Sequence, residues 1–164
     1  MKPSNTHGFT LIEVVTVVAI VGILSMIVIP NFIGWLPRYR LNLAAQDVLS
    51  GMIKARTKAV KDNTWVVFGP NAGGSFSAFV DDGSGSGDAD LNGVPDDAND
   101  GVQNGSEPTT VRISLPSGIS ITSSFQTSFD SKGLPDNSGT ITLRNSRGQT
   151  RQISLLTTGF ARII

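Results

Sequence analysis

The chain predicts an α+β fold: one long N-terminal helix, membrane-spanning in its first half, packed on antiparallel β-sheet. Three observations predict it. From Phe9 to Ile29 the residues are almost all apolar. From Leu41 to Ala59 the apolar residues recur every three or four positions, the period of one helix face. From Thr64 onward the period falls to two, in short runs separated by Gly, Pro, Asn, Asp and Ser. The chain thus divides into a polar leader (1–8), a transmembrane helix (9–30), an amphipathic continuation (31–63) and a β-rich domain (64–164) with an acidic loop (81–107).

Phe9 to Ile29 is long enough to cross a bilayer core, which takes about 20 residues at about 1.5 Å each. A cleaved secretory signal has a shorter apolar core, about 7–15 residues, then small residues at its cut. Here the run passes into Pro30-Asn31-Phe32 with no such site. Lys2 and His7 precede the run, so the leader stays cytoplasmic and the rest lies outside the cytoplasm. Glu13 is the anomaly. A carboxylate near the bilayer centre costs about 2.5–3.5 kcal/mol, so it calls for a partner charge. A cut between Gly8 and Phe9 would supply one. The new α-ammonium would lie one helical turn before Glu13, on the same chain or on a neighbouring copy.

Gly8-Phe9-Thr10-Leu11-Ile12-Glu13 resembles the class III signal of type IV prepilins and type II secretion pseudopilins. The resemblance implies that a prepilin peptidase of the bacterial inner membrane cuts between Gly8 and Phe9 and methylates the Phe9 amine. It also implies that Glu13 docks the subunit among other pilins or pseudopilins. The 9–30 helix would then form the core of a filament raised on an inner-membrane assembly platform. Before assembly the chain would be single-pass, with its C-terminal domain periplasmic.

Beyond the span, Leu41, Ala45, Val48, Met52, Ala55 and Ala59 form the stripe, and Leu49, Ile53 and Val60 are expected to widen it. Asp47, Lys54, Lys58 and Lys61 fall off it. Such a stripe packs on a sheet rather than forming a ligand site. Pro30 and Pro37 each remove a helical hydrogen bond and predict a kink or local unwinding near the membrane exit. Asp62-Asn63 suits a turn and ends the helix. Strands are expected over 64–69, 75–80, 110–115, 119–123, 124–129, 140–144, 150–156 and 160–163. Pro70 to Gly74 reads as a turn-rich link, and Asn145-Ser146-Arg147-Gly148 as a hairpin turn. The helical stripe can cover the apolar face such a sheet would expose.

In 164 residues the net charge is zero, yet it is segregated. Arg38, Arg40, Lys54, Arg56, Lys58 and Lys61 make the helix basic against Asp47 and Asp62. Between Thr64 and Val111 every charged residue is acidic, and the C-terminal part is mildly basic. Cysteine is absent, and the sole histidine, His7, lies in the leader. That excludes disulfides, thiol nucleophiles and thiolate metal sites, and leaves little for acid–base catalysis. A structural, non-enzymatic role is expected.

The acidic loop is the second informative feature. Asp88, Asp90 and Asn92 alternate, Gly93 follows, then Val94 and Asp96. This spacing lets several oxygens converge on Ca²⁺, a hard cation taking about 6–8 oxygen ligands, with Val94 offering its carbonyl. It fits the first half of the EF-hand pattern but has Asn99, not glutamate, at the closing position. It resembles more closely a single calcium loop of thrombospondin type 3 repeats or dockerins. A solvated Asp/Gly/Ser insertion that binds nothing fits the same residues.

Further segments carry a narrower resemblance: Ala55 to Thr64, Val66-Val67-Phe68, Phe79-Val80-Asp81, Asn92 to Asp96 before Glu107, and Gly159-Phe160-Ala161-Arg162. Together they resemble the minor pseudopilin family GspH/FimT, which implies a place near a filament tip. Some members bind DNA through a C-terminal G-R-x-R segment. Here Phe160 replaces its first arginine, leaving Arg162 with Arg144, Arg147 and Arg151 as nucleic-acid candidates. With no domain-wide basic excess, nucleic acid is not the favoured partner.

Overall fold

The computed structural model describes residues 9–71, 73–81, 101–103 and 107–164, and for 27–33 the backbone alone. Two compact units are present, Met1–Leu36 and Pro37–Ile164. Helix α1, Leu11–Asp62, supplies residues to both.

In the first unit the apolar side chains from Leu11 to Leu24 all stand exposed, as does Met26. Thr16 and Ser25 donate their hydroxyls to the carbonyls of Ile12 and Val21, both at 2.7 Å. This back-bonding hides two polar groups within an apolar surface. Among the described residues no helix is long and apolar enough to cross a membrane. Within the apolar run the described side chains end at Met26, short of the expected span's end. The backbone stays helical through Pro30 and Pro37, so the expected unwinding is not found. Each proline removes only one hydrogen bond, and the turns on either side hold the helix.

In the second unit α1 buries Leu41, Ala44, Ala45, Val48, Met52, Ala55 and Ala59, each 3% exposed or less. Ile53 and Val60 do not widen the stripe; they are 52% and 50% exposed. They lie roughly 80–100° round the helix from Met52. The sheet also approaches too closely to wrap that far. A Cβ built at Gly51 would stand 2.3 Å from Ile113 Cδ1 and 3.1 Å from Phe68 Cε2. The helix ends where Asp62-Asn63 predicts. Asn63 adopts φ 52°, and Thr64 N–H donates to Ala59 O at 3.1 Å, a left-handed C-terminal cap.

Eight strands follow: β1 Trp65–Asn71, β2 Ser75–Asp81, β3 Thr109–Ser114, β4 Ile119–Ser123, β5 Thr127–Phe129, β6 Gly139–Asn145, β7 Thr150–Leu155 and β8 Ala161–Ile163. They form two antiparallel sheets ordered β3-β2-β1-β5 and β4-β6-β7-β8. One core joins both sheets to the helix: Val66, Phe68, Phe76 and Phe129 from the first, Ile141, Leu143, Ile153 and Leu155 from the second. β1 runs past its expected end through Pro70, because β5 pairs only with Val66 to Phe68 and leaves that position a neighbour on one side. β5 starts later than expected, since Phe125 packs against the core and Gln126 donates its side-chain amide to Gly101 O at 2.6 Å.

Candidate assembly interface

Gly8 lies outside the described residues; Phe9, the other half of the expected cut, is 85% exposed. The helix starts at Leu11 because Thr10 caps it. Its Oγ1 accepts the Glu13 N–H at 3.3 Å. Thr10-Leu11-Ile12-Glu13 has the S/T-x-x-E spacing of a capping box. Glu13 therefore sits in the first turn, where the positive end of the helix dipole favours a carboxylate. Phe9, Val14, Val17 and Val18 border a shallow hollow with it, about 300 Å³. The cap is a second role for this segment that the sequence reading missed, although the spacing displays it.

The calcium candidates Asp88, Asp90, Asn92, Val94 and Asp96 lie outside the described residues. The base of their loop is described. Asp81 is fully buried, and its Oδ2 accepts the Gly101 N–H at 3.0 Å. Gln103 Nε2 donates to Glu107 O and to Thr109 Oγ1, both at 3.0 Å. Val80 N–H donates to Pro108 O at 3.1 Å. These bonds draw the two ends of the loop together at the end of the sheet where β2 stops. Among the described residues no group of three or more His, Cys, Asp or Glu is placed to hold a metal.

The nucleic-acid candidates are divided by the sheet. Arg144 lies near the end of β6, Arg147 in the β6–β7 turn, and Arg151 second in β7. The turn is built on Asn145, whose Oδ1 accepts Arg147 N–H at 3.0 Å and Gln149 N–H at 2.9 Å, with Gly148 at φ 80°. Two helix arginines join them. Arg151 Nε donates to Asn42 Oδ1 at 2.9 Å, and Arg40 Nη1 to Ser117 Oγ at 3.3 Å. With its oxygen turned to Arg38, the Gln149 amide accepts from Nε at 2.7 Å and Nη2 at 3.0 Å, the orientation a guanidinium demands. Arg162 is not among them. It pairs with Ser154, opposite Thr140, so it stands four residues, about 13 Å, along β6 from Arg144.

At the other end of the second unit is a half-open apolar groove of about 730 Å³, lined by Ile53, Val60, Phe129, Leu155 and Phe160 among others. Arg56 crosses beside it, with Nε donating to Gly133 O at 2.9 Å and Nη1 to Gly159 O at 3.0 Å. One guanidinium thus ties the β5–β6 and β7–β8 turns to the helix. The sequence marked Arg56 only as part of a basic helix; the glycines it grips, both at positive φ, carry no local sign of their partner.

Residues 3–29 match the prokaryotic N-terminal methylation motif. Residues 44–159, well over half the chain, match the family described as type II transport protein GspH. No curated protein matches the chain closely enough to count as a relative. In three dimensions it is similar to the crystal structure of the Pseudomonas aeruginosa type IV minor pilin FimU. The TM-score is 0.50 at 14% identity, over 77% of this chain and 90% of that one. This likeness concerns the fold: an N-terminal helix packed on antiparallel sheets. The prepilin-like N-terminus, the helix capped at Thr10 and the match over 44–159 agree, and the chain belongs to the GspH family.

Proposed function

We propose that the chain is a non-enzymatic minor subunit of a type II secretion pseudopilus or a type IV pilus, held in the inner membrane before assembly. The observation that carries this reading is the N-terminal stretch of α1, whose described side chains from Leu11 to Met26 are apolar and exposed but for Thr16, Ser25 and one carboxylate in the first turn. A helix of that kind is stable only in lipid or among other apolar helices. Storage in the membrane and transfer to a filament core offer it both in turn. Cleavage after Gly8 would place the Phe9 ammonium beside Glu13 or a neighbour's Glu13, offsetting the carboxylate's cost in either setting. The partners are other pilins or pseudopilins, the prepilin peptidase and the assembly platform. We also propose that the loop carrying Asp88, Asp90, Asn92, Val94 and Asp96 holds Ca²⁺, as its alternating oxygens and bonded base favour.

Mass spectrometry of membrane-extracted protein tests the processing. The expected mature chain begins at N-methylated Phe9, and Gly8→Glu leaves an inserted, unassembled precursor. An intact Met1 in the wild type, or a cut near Pro30, refutes the reading.

A further inference from the structure

We propose that the arginine-bearing end of the second unit docks on anionic lipid headgroups of the membrane that holds the N-terminal helix. Arg38, Arg40, Arg144, Arg147 and Arg151 meet there, drawn from the start of the helical stripe and from the β6–β7 hairpin. Arg38, Arg144, Arg147 and Arg151 are exposed. The acidic side chains described in this unit stand elsewhere. Asp47 borders a separate hollow with Lys54 and Arg112, and Asp62 pairs with Lys58 in the last turn of α1. Asp81 and Glu107 lie at the base of the acidic loop, and Asp130 and Asp136 lie beside β5.

Charge alone would suit any polyanion; chain order selects the lipid. The apolar run is followed by Trp35-Leu36-Pro37-Arg38-Tyr39-Arg40, so two of these arginines come eight and ten residues after Pro30, the last residue of the expected membrane segment. Tyr39, 43% exposed, lies between them, and Trp35 precedes it by one helical turn in sequence. Trp and Tyr collect at membrane–water interfaces, and arginines pair bidentately with phosphates. Most of these guanidiniums are already steered by Asn42, Ser117 and Gln149, which limits the freedom lost on docking. Docking would keep the stored subunit upright at the bilayer surface and would be released on extraction into a filament. The inference rests on the membrane-storage reading, and its test separates the two.

The chain lacks cysteine, so a Ser146→Cys variant takes one environment-sensitive fluorophore on the exposed β6–β7 turn. Full-length protein is reconstituted into vesicles of phosphatidylcholine alone, or with about one third phosphatidylglycerol, and vesicle flotation is scored separately. The expected result is a docked signal only with phosphatidylglycerol, fading as salt shortens the screening length from about 10 Å at 0.1 M to about 3 Å at 1 M. Arg38→Gln with Arg144→Gln should lower the docked-to-free ratio on the order of fivefold per arginine. Arg38→Lys with Arg144→Lys should retain most of it. Equal signals in both lipids, or equal loss in the lysine and glutamine pairs, overturns docking while flotation leaves membrane storage standing. Protein that does not float brings down both. An arginine-dependent response to duplex DNA, without any response to phosphatidylglycerol, assigns this surface to nucleic acid instead.

Discussion

Thr10 and Glu13 form one unit at the start of α1, and two substitutions separate their roles. Thr10→Ala removes the acceptor for the Glu13 N–H, a capping loss of about 1 kcal/mol. Amide hydrogen exchange over Leu11 to Val14 in detergent should quicken about fivefold, with the melting of the second unit unchanged; unchanged exchange would show the cap is idle. Glu13→Ala should insert in the membrane at least as well as the wild type, because a charge costing about 2.5–3.5 kcal/mol near the bilayer centre is gone. Its incorporation into filaments, read by cross-linking, should fall sharply. Glu13→Gln decides the cause. Glutamine serves a capping box as well as glutamate but has no charge to pair with a neighbour's ammonium. If the glutamine variant assembles normally, Glu13 acts through the helix end and not through charge pairing.

Among the elements, the helix and hairpins were legible and the edges and long-range ties were not. The stripe from Leu41 to Ala59 announces its face because period alone determines it. Ile53 and Val60 depart from the expected stripe because how far a sheet wraps round a helix depends on approach distance, here set by Gly51. The Asn145 to Gly148 turn was readable because its signal is local. The separation of Arg162 from Arg144 was not, since it depends on the register of three strands. The Arg56 tie joins residues far apart in the chain, and it yields a contrast between glycines. Gly159 has φ 77°, and an added Cβ would sit 2.6 Å from the rigid Gly133 carbonyl. Gly148 has φ 80°, but its nearest neighbour is the flexible end of Arg144 at 3.2 Å. Gly148→Ala should therefore carry only backbone strain, about 1–2 kcal/mol. Gly159→Ala adds a clash and should reach about 2–4 kcal/mol. Arg56→Met, leaving two carbonyls without a charged donor, should cost about 2 kcal/mol because the group is partly exposed. Thermal melts followed by near-ultraviolet circular dichroism give the order; equal shifts at the two glycines would contradict the clash.

Across the whole molecule the net charge of zero hides a separation. Within the second unit the arginines gather where α1 enters, and the acidic loop departs from the opposite end, where Asp81 pairs with Trp65 just after the helix stops. Seven aspartates from Asp81 to Asp100 repel one another, and no basic residue lies between Thr64 and Val111 in the sequence to relieve them. Asp81 holds Gly101, so the two ends of the loop are fixed near each other. The proposed divalent cation would relieve that repulsion. Ligand binding only the folded state stabilises it by RT ln(1 + [L]/Kd), about 2.7 kcal/mol at a hundred times Kd. Full-length protein in detergent should therefore melt higher in millimolar Ca²⁺ than in chelator, and Asp90→Ala should shrink the difference. Magnesium should do less, because it keeps its waters and demands octahedral geometry at about 2.0–2.1 Å. A shift equal for both ions would indicate screening of the aspartates and not a coordinated site. Identical melting in calcium and chelator, with no calorimetric heat, would make the loop a solvated insertion and leave the filament role untouched.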